Sequence, residues 1–285
     1  MKEELLSRVE KERENSLNFY RNWEYVGKEM LIPGRAGLVR TLFYYPEEIR
    51  EDMPVFFDIH GGGHTVHKAE ADQPFCRKLC RQLRGLVVSV DYHLAPEYQW
   101  PVQLHEVYDV ILHIYQNAEQ YHIDPQRMGV GGHSAGGNLA AATALLAKDL
   151  GEFSLKCQVL DYPEVDLATK PEDKYEGKAS AMVEQLTFFG ECYQNADNVK
   201  NKYYSPFYAK REELQGLPPT VAVLCGNDIL YREGLEYAGK LVEAGVETIV
   251  KLFQNAEHGF TADYYYRKES QEAHQFMIRE IKKYL

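Results

Sequence analysis

Cysteine is scarce in this chain, and positive charge is in deficit. Cys76, Cys80, Cys157, Cys192 and Cys225 are the only cysteines, an odd number without framework spacing, which argues against a disulfide-stapled secreted scaffold. Cys76 and Cys80 lie one helical turn apart, as a metal pair would. No matching Cys or His pair follows nearby, so reduced structural thiols are expected. Lys and Arg total 32 against 43 Asp and Glu, a net charge of -11. That balance argues against nucleic acid or an anionic membrane surface as partner. No apolar run approaches the roughly 18 residues that a membrane span needs. The first residues, Met1 to Glu10, are too charged for a signal peptide. A cytoplasmic protein is therefore expected. Internal repeats and low-complexity linkers are also missing, and 45% hydrophobic residues can build a sizeable core, so 1–285 reads as a single domain.

What is present alternates between two kinds of segment. Stretches at 55–59, 86–91, 128–131, 156–160, 220–225 and 247–253 are rich in Val, Ile, Leu and Phe, as buried parallel strands are. Residues 38–45 read as a further strand closed by Pro46. Helical spacing of apolar residues runs over 74–83, 102–121, 137–150, 233–244 and 268–284. The alternation predicts a doubly wound α/β sheet, mostly parallel and of about eight strands. Residues 1 to about 30 read as helix, ended by Pro33-Gly34; their apolar face must lie on another part of the chain. The region between 160 and 220 breaks the alternation and is rich in aromatics, among them Phe188, Phe189, Tyr193 and Tyr204. It reads as a functional insertion, either lining a substrate pocket or filling its own small core.

Four motifs fall at the ends of expected strands. Gly132-His133-Ser134-Ala135-Gly136 sits between a strand and an Ala/Leu-rich helix, the context of a nucleophile elbow. By itself a G-x-S-x-G pentapeptide is equally an ordinary Gly-rich turn. His60-Gly61-Gly62-Gly63-His64 follows the strand 55–59, and its glycines leave backbone N–H groups free to approach a ligand. The rival readings there are a plain flexible loop, or a metal cluster of His60, His64 and His67. Cys225-Gly226-Asn227-Asp228 follows the strand 220–225, where a turn is the bland reading. His258-Gly259-Phe260 follows the last strand. Ser, Asp, His, each just beyond its own strand, is the order of α/β-hydrolases and not of chymotrypsin or subtilisin.

With these motifs the chain resembles the hormone-sensitive-lipase-like carboxylesterases and acetyl esterases of the α/β-hydrolase superfamily, from about residue 54 to 262. Further residues carrying the likeness are Asp91-Tyr-His-Leu-Ala-Pro-Glu97, Asn138-Leu-Ala140, Ser205-Pro206 and Gly216-Leu-Pro-Pro219. The resemblance implies an α/β-hydrolase fold with a helical cap, here residues 1–32 and 163–207. It implies Ser134 as nucleophile, His258 as base and Asp228 as its orienter, with oxyanion donors at Gly62, Gly63 and Ala135. His64, His133, Phe188, Phe189, Tyr204 and Phe260 are candidate pocket residues. Three positions depart from the family. His93 stands where arginine is usual, His133 where Asp or Glu is commoner, and Asp228-Ile-Leu-Tyr-Arg-Glu233 where the family tends toward Asp-Pro-Leu-x-Asp-Glu.

The implied activity is hydrolysis of short acyl esters, acetyl to about hexanoyl, through an acyl-enzyme. Neither a metal nor an organic cofactor is expected. The expected partner is a small ester, and a homodimer is left open. Two other classes stay open. A serine peptidase of the prolyl-oligopeptidase or acylaminoacyl type shares the fold, but a propeller domain does not fit before residue 54. A non-catalytic receptor resembling the plant gibberellin receptors would lack the catalytic histidine, whereas His258 is present.

Overall fold

The computed structural model describes residues 2–174, 180–194, 198–263 and 267–285. Its frame is one eight-stranded sheet: β1 Lys28–Gly34, β2 Gly37–Tyr44, β3 Met53–Ile59, β4 Leu86–Asp91, β5 Ile123–His133, β6 Cys157–Asp161, β7 Thr220–Asn227 and β8 Thr248–Glu257. The spatial order is β1-β2-β4-β3-β5-β6-β7-β8. β2 is antiparallel to both β1 and β4, and every other pairing is parallel. The central strand β3 is buried along its whole length, which is why it reads as an unbroken apolar run and not as an alternation.

Among the described residues the helices are α1 Lys2–Tyr20, α2 Gln73–Leu83, α3 Val102–Gln116, α4 Ala135–Leu150, the short α5 Pro171–Lys174, α6 Ser180–Cys192, the short α7 Arg211–Leu214, α8 Tyr231–Glu243 and α9 Lys268–Tyr284. One face of the sheet is covered through Val107, Tyr108 and Ile111 of α3, Leu139 and Leu145 of α4, and Tyr237 and Leu241 of α8. The other face is covered by Phe75, Cys76 and Leu79 of α2 and by Met277, Ile278 and Ile281 of α9. Fully burying one such side chain contributes about 1.5–3 kcal/mol, so each helix is held by several of them together. All five cysteines are buried and unbridged. No described helix is long and apolar enough to cross a membrane.

The amino-terminal segment differs from its sequence reading. The helix ends at Tyr20, and residues 28–34 form the edge strand β1 of the sheet. Pro33-Gly34 does not stop a helix; it leads into a hairpin in which Gly34 pairs with Gly37. An edge strand tolerates proline because one row of its N–H groups needs no partner in the sheet. Residues 28–32 therefore belong to the sheet and not to a cap. The expected helix over 102–121 also stops early, at Gln116, and a 3₁₀ turn over Ala118–Tyr121 follows.

α1 packs where the strands end. Val9 of α1 joins Val66, Ala95, Phe188, Phe189, Cys192, Tyr193 and Tyr204 in a small separate core. Arg13 fastens the helix further. Its guanidinium donates to both carboxylate oxygens of Glu97 at 2.7 Å and to the carbonyls of Thr65 and Ala95 at 2.9 Å. The aromatics of the insertion thus build a core of their own together with α1. Residues 175–179 and 195–197 of the insertion lie outside the described residues.

Candidate active site

The site grows out of β5. After a glycine-rich, fully buried run the strand ends at His133, the chain turns, and α4 begins at Ala135. Ser134 occupies the apex at φ 54° and ψ −115°, a region that L-residues enter only under strain. The turn is held from both sides. The Ser134 N–H donates to the Asp161 carbonyl at 2.9 Å, and the Ser134 carbonyl accepts from Asn138 at 3.0 Å and Glu164 at 3.2 Å. Gly136 is obligatory, since a Cβ there would sit 1.9 Å from the Ile59 carbonyl oxygen of β3.

Beyond the ends of β7 and β8 stand the other two members. His258 Nε2 lies 2.9 Å from Ser134 Oγ, and its Nδ1 lies 2.7 Å from Asp228 Oδ2. Asp228 is itself fixed, accepting the Leu230 N–H at 2.9 Å on its other oxygen. Burial alone would depress the pKa of His258. The charge and hydrogen bond of Asp228, with the charges of Glu164 and Asp161 behind it, outweigh burial and raise it above the ordinary value. Tyr162 braces the imidazole edge-on, with ring centroids 4.8 Å apart.

Facing Ser134 is the glycine loop after β3. Gly62 and Gly63 have φ of 104° and 57°, and a Cβ on Gly63 would meet the Phe189 ring at 2.1 Å. Among the described residues the backbone N–H groups of Gly62, Gly63 and Ala135 make no hydrogen bond. The Asp91–Glu97 segment buttresses this loop from behind. The Tyr92 hydroxyl donates to the His60 carbonyl at 2.9 Å, and the Ala95 N–H donates to the His64 carbonyl at 2.8 Å. His93, the departure from the family's arginine, has a carboxylate partner: its Nδ1 lies 2.6 Å from Glu106.

The chain matches the family described as the alpha/beta hydrolase fold over residues 56–262. The chain belongs to that family. This α/β-hydrolase is 34% identical over 215 residues to an arylesterase of Saccharolobus solfataricus, covering 74% of this chain and 69% of the relative. It superposes on an esterase of Pyrobaculum calidifontis with a TM-score of 0.88 at 32% identity, covering 98% of this chain and 92% of that one. It also superposes on EstE1, a thermostable carboxylesterase from a metagenomic library, with a TM-score of 0.89 at 30% identity, covering 99% and 97% of the two chains. The match spans 62% of the length of other curated relatives, among them an AB hydrolase superfamily protein of Schizosaccharomyces pombe.

The remaining candidate residues of this α/β-hydrolase fall in different places. Tyr204 borders a cavity of about 280 Å³ that is also lined by Glu164, Asp166, Leu167, Lys174 and Leu186. Phe188 and Phe189 are core residues of the insertion, Phe189 closing over Gly63. Phe260 is 2% exposed and packs on Phe253 and Tyr162 beneath the sheet, so it belongs to the core. His64 is stacked on Tyr193 at 3.9 Å, and burial pushes its pKa down to about 3, which keeps it neutral. His133 turns away from the serine and bonds Asp161 through Nδ1 at 2.8 Å. His60, His64 and His67 do not converge: His60 stacks on Tyr92, His64 on Tyr193, and His67 meets Ser16. A larger cavity of about 460 Å³, lined by Arg13, Arg40, Asp91 and Tyr98, contains no residue of the Ser134–His258–Asp228 chain.

Glu164 went unnoticed in the sequence. It is buried in the insertion with no motif around it, yet its N–H bonds the Ser134 carbonyl and its charge acts on His258. A nearby Lys174–Glu233 ion pair at 2.7 Å is buried as well. Only the fold brings these segments together, so no local signal could have marked them.

Proposed function

We propose that this protein is a serine carboxylesterase that hydrolyses short-chain acyl esters in two steps. The observation that carries the reading is the unbroken Asp228–His258–Ser134 hydrogen-bond chain, ending on a strained apex opposite two glycine amides. His258 Nε2 takes the Ser134 proton as Oγ bonds to the ester carbonyl carbon. The oxyanion is held by the N–H groups of Gly62, Gly63 and Ala135. The alcohol departs with the proton from His258, leaving an acyl-serine. Water then attacks the acyl carbon as His258 removes its proton, and the acid is released. Asp228 accepts the His258 Nδ1–H throughout and stabilises the imidazolium. The relatives named esterases support this reading, and α1 with residues 163–207 would act as its cap.

Short chains are favoured because the aromatic core of the insertion closes over the glycine loop. The cavity beside Glu164, about 280 Å³ and, like the larger one, lined by no residue of the Ser134–His258–Asp228 chain, is smaller than the usual ligand pocket of about 300–1,000 Å³. A panel of p-nitrophenyl esters from acetate to laurate, with an acetylated sugar beside it, tests this. Activity should peak between acetate and hexanoate and fall steeply beyond. Preference for laurate would overturn the chain-length assignment, and hydrolysis of no ester would overturn the function.

The raised pKa of His258 has a kinetic consequence. Only neutral imidazole accepts the serine proton, so kcat/KM falls as pH drops through the histidine pKa. Because folding raises that pKa, the acid limb should lie above the ordinary histidine value of about 6.5. A pH profile of kcat/KM on p-nitrophenyl acetate measures it. A limb well below 6 would mean that burial outweighs Asp228.

A further inference from the structure

Behind the nucleophile turn lies a group of ionisable side chains that ester hydrolysis does not use. It sits on the face of the sheet covered by α2 and α9. Asp58 comes from β3, Asp72 from the turn entering α2, and His133 from the end of β5. The residue is fully buried for Asp58 and 5% exposed for His133, while the Asp72 side chain is 11% exposed. His133 Nε2 lies 3.7 Å from Asp58 Oδ1 and 3.8 Å from Asp72 Oδ2. One ligating atom from each of the three lies within 4.8 Å of the others.

These separations are too long for hydrogen bonds between the groups. Among the described residues, Asp58 Oδ1, Asp72 Oδ2 and His133 Nε2 all have no hydrogen-bond partner. Three buried polar atoms aimed at one point and left unsatisfied carry a large desolvation cost. The charge is unbalanced too. Asp161 adds a third carboxylate on the other side of His133, so even an imidazolium leaves the group negative. A cation in the middle removes both problems. Ligands bound at about 2.1 Å, at angles between tetrahedral and trigonal, stand roughly 3.4–3.7 Å apart, close to the observed separations.

The outer contacts match as well. His133 holds Asp161 Oδ2 through Nδ1 at 2.8 Å, which leaves Nε2 as the ligating nitrogen, and the Thr261 hydroxyl donates to the same oxygen at 2.7 Å. The free oxygen of Asp58 is oriented by Ser89, which donates to its other oxygen at 2.8 Å. A carboxylate behind the imidazole and a hydroxyl behind the carboxylate are the supports that metal ligands carry. A cavity of about 10 Å³ lined by Asp72, Phe75, His133, Thr261 and His274 adjoins the cluster, about the space of one water.

We propose that Asp58, Asp72 and His133 bind one divalent transition-metal ion of the zinc class, with water as a fourth ligand. An imidazole with two carboxylates suits such an ion better than calcium or magnesium. Its role is structural: it ties the end of β5, one residue before Ser134, to β3 and α2. The proposal runs against the expectation of a metal-free protein, which no local spacing contradicts, since the three ligands come from separate elements.

The test begins with metal analysis of the purified full chain by plasma mass spectrometry. The protein is then stripped with a chelator, checked for folding by circular dichroism, and titrated with Co²⁺ while visible absorption is followed. About one equivalent of metal per chain is expected, with d–d bands that saturate at one Co²⁺ and a melting temperature that rises with Co²⁺. Asp72→Asn, at the rim of the cluster, and Asp58→Asn should each weaken Co²⁺ binding at least 100-fold. Ser134→Ala should bind it unchanged, which separates this proposal from the hydrolytic reading. Stripped, folded wild type without Co²⁺ bands at millimolar metal would overturn the site. So would wild-type affinity in a folded Asp72→Asn or Asp58→Asn protein.

Discussion

Replacing Ser134 by alanine is expected to lower kcat on p-nitrophenyl acetate by on the order of 10⁶-fold while leaving the fold in place. The size follows from the hydrogen-bond chain, in which Ser134 Oγ is the terminal group and the atom that becomes acylated in the proposed mechanism. Without it neither Asp228 nor His258 has a nucleophile to activate, so most of their contribution disappears with the serine. The fold should survive because alanine meets the same backbone strain at φ 54° as serine does, and no further side-chain bond is lost. Thermal melting checks the fold, and stopped assays at high enzyme concentration check the rate. A variant that keeps a tenth of wild-type activity would remove Ser134 from the mechanism.

Asp228→Asn should lower kcat by about 10⁴-fold, because an amide no longer stabilises the imidazolium and can favour the wrong tautomer of His258. A second readout accompanies the loss. Asp228 is the largest influence raising the His258 pKa, by charge and by hydrogen bond, against the depression caused by burial. With asparagine, the acid limb of the residual activity should move to lower pH. A loss of only several-fold with an unmoved limb would assign the role to another carboxylate. Glu164 is then the foremost candidate, being buried and acting on His258 by its charge, whereas Glu257 has a largely exposed side chain.

Much of the fold was legible locally. β3 to β8 follow the apolar runs because strands buried on both faces must be apolar throughout. α2, α4, α8 and α9 begin and end within two residues of their periodic patterns. β1 was not legible. Its residues, Lys28 to Gly34, alternate weakly and carry no local strand signal, and only pairing with β2 decides their conformation. The order Ser134, Asp228, His258 was readable because each residue follows a strand, and parallel strands deliver their ends to one edge of the sheet.

The sequence by itself determined strands β2 to β8, the strained turn at Ser134 and the strand-end positions of Asp228 and His258. These depend on near-neighbour physics: periodicity, glycine freedom and strand polarity. Tertiary structure alone decided which way the neighbouring side chains face. His133 follows the pleat of β5 to the opposite side from the serine, toward Asp58 and Asp72, so adjacency in the chain did not make it a pocket residue. Phe260, in the 3₁₀ turn after β8, packs on Phe253 and Tyr162, and Phe188 and Phe189 of α6 enter a core shared with α1. Glu164 acts on the histidine by its charge only because β6, which it follows, pairs with β5 and brings its N–H to the Ser134 carbonyl. Burial, charge pairing and orphaned polar atoms arise between segments distant in sequence, and only their packing reveals them.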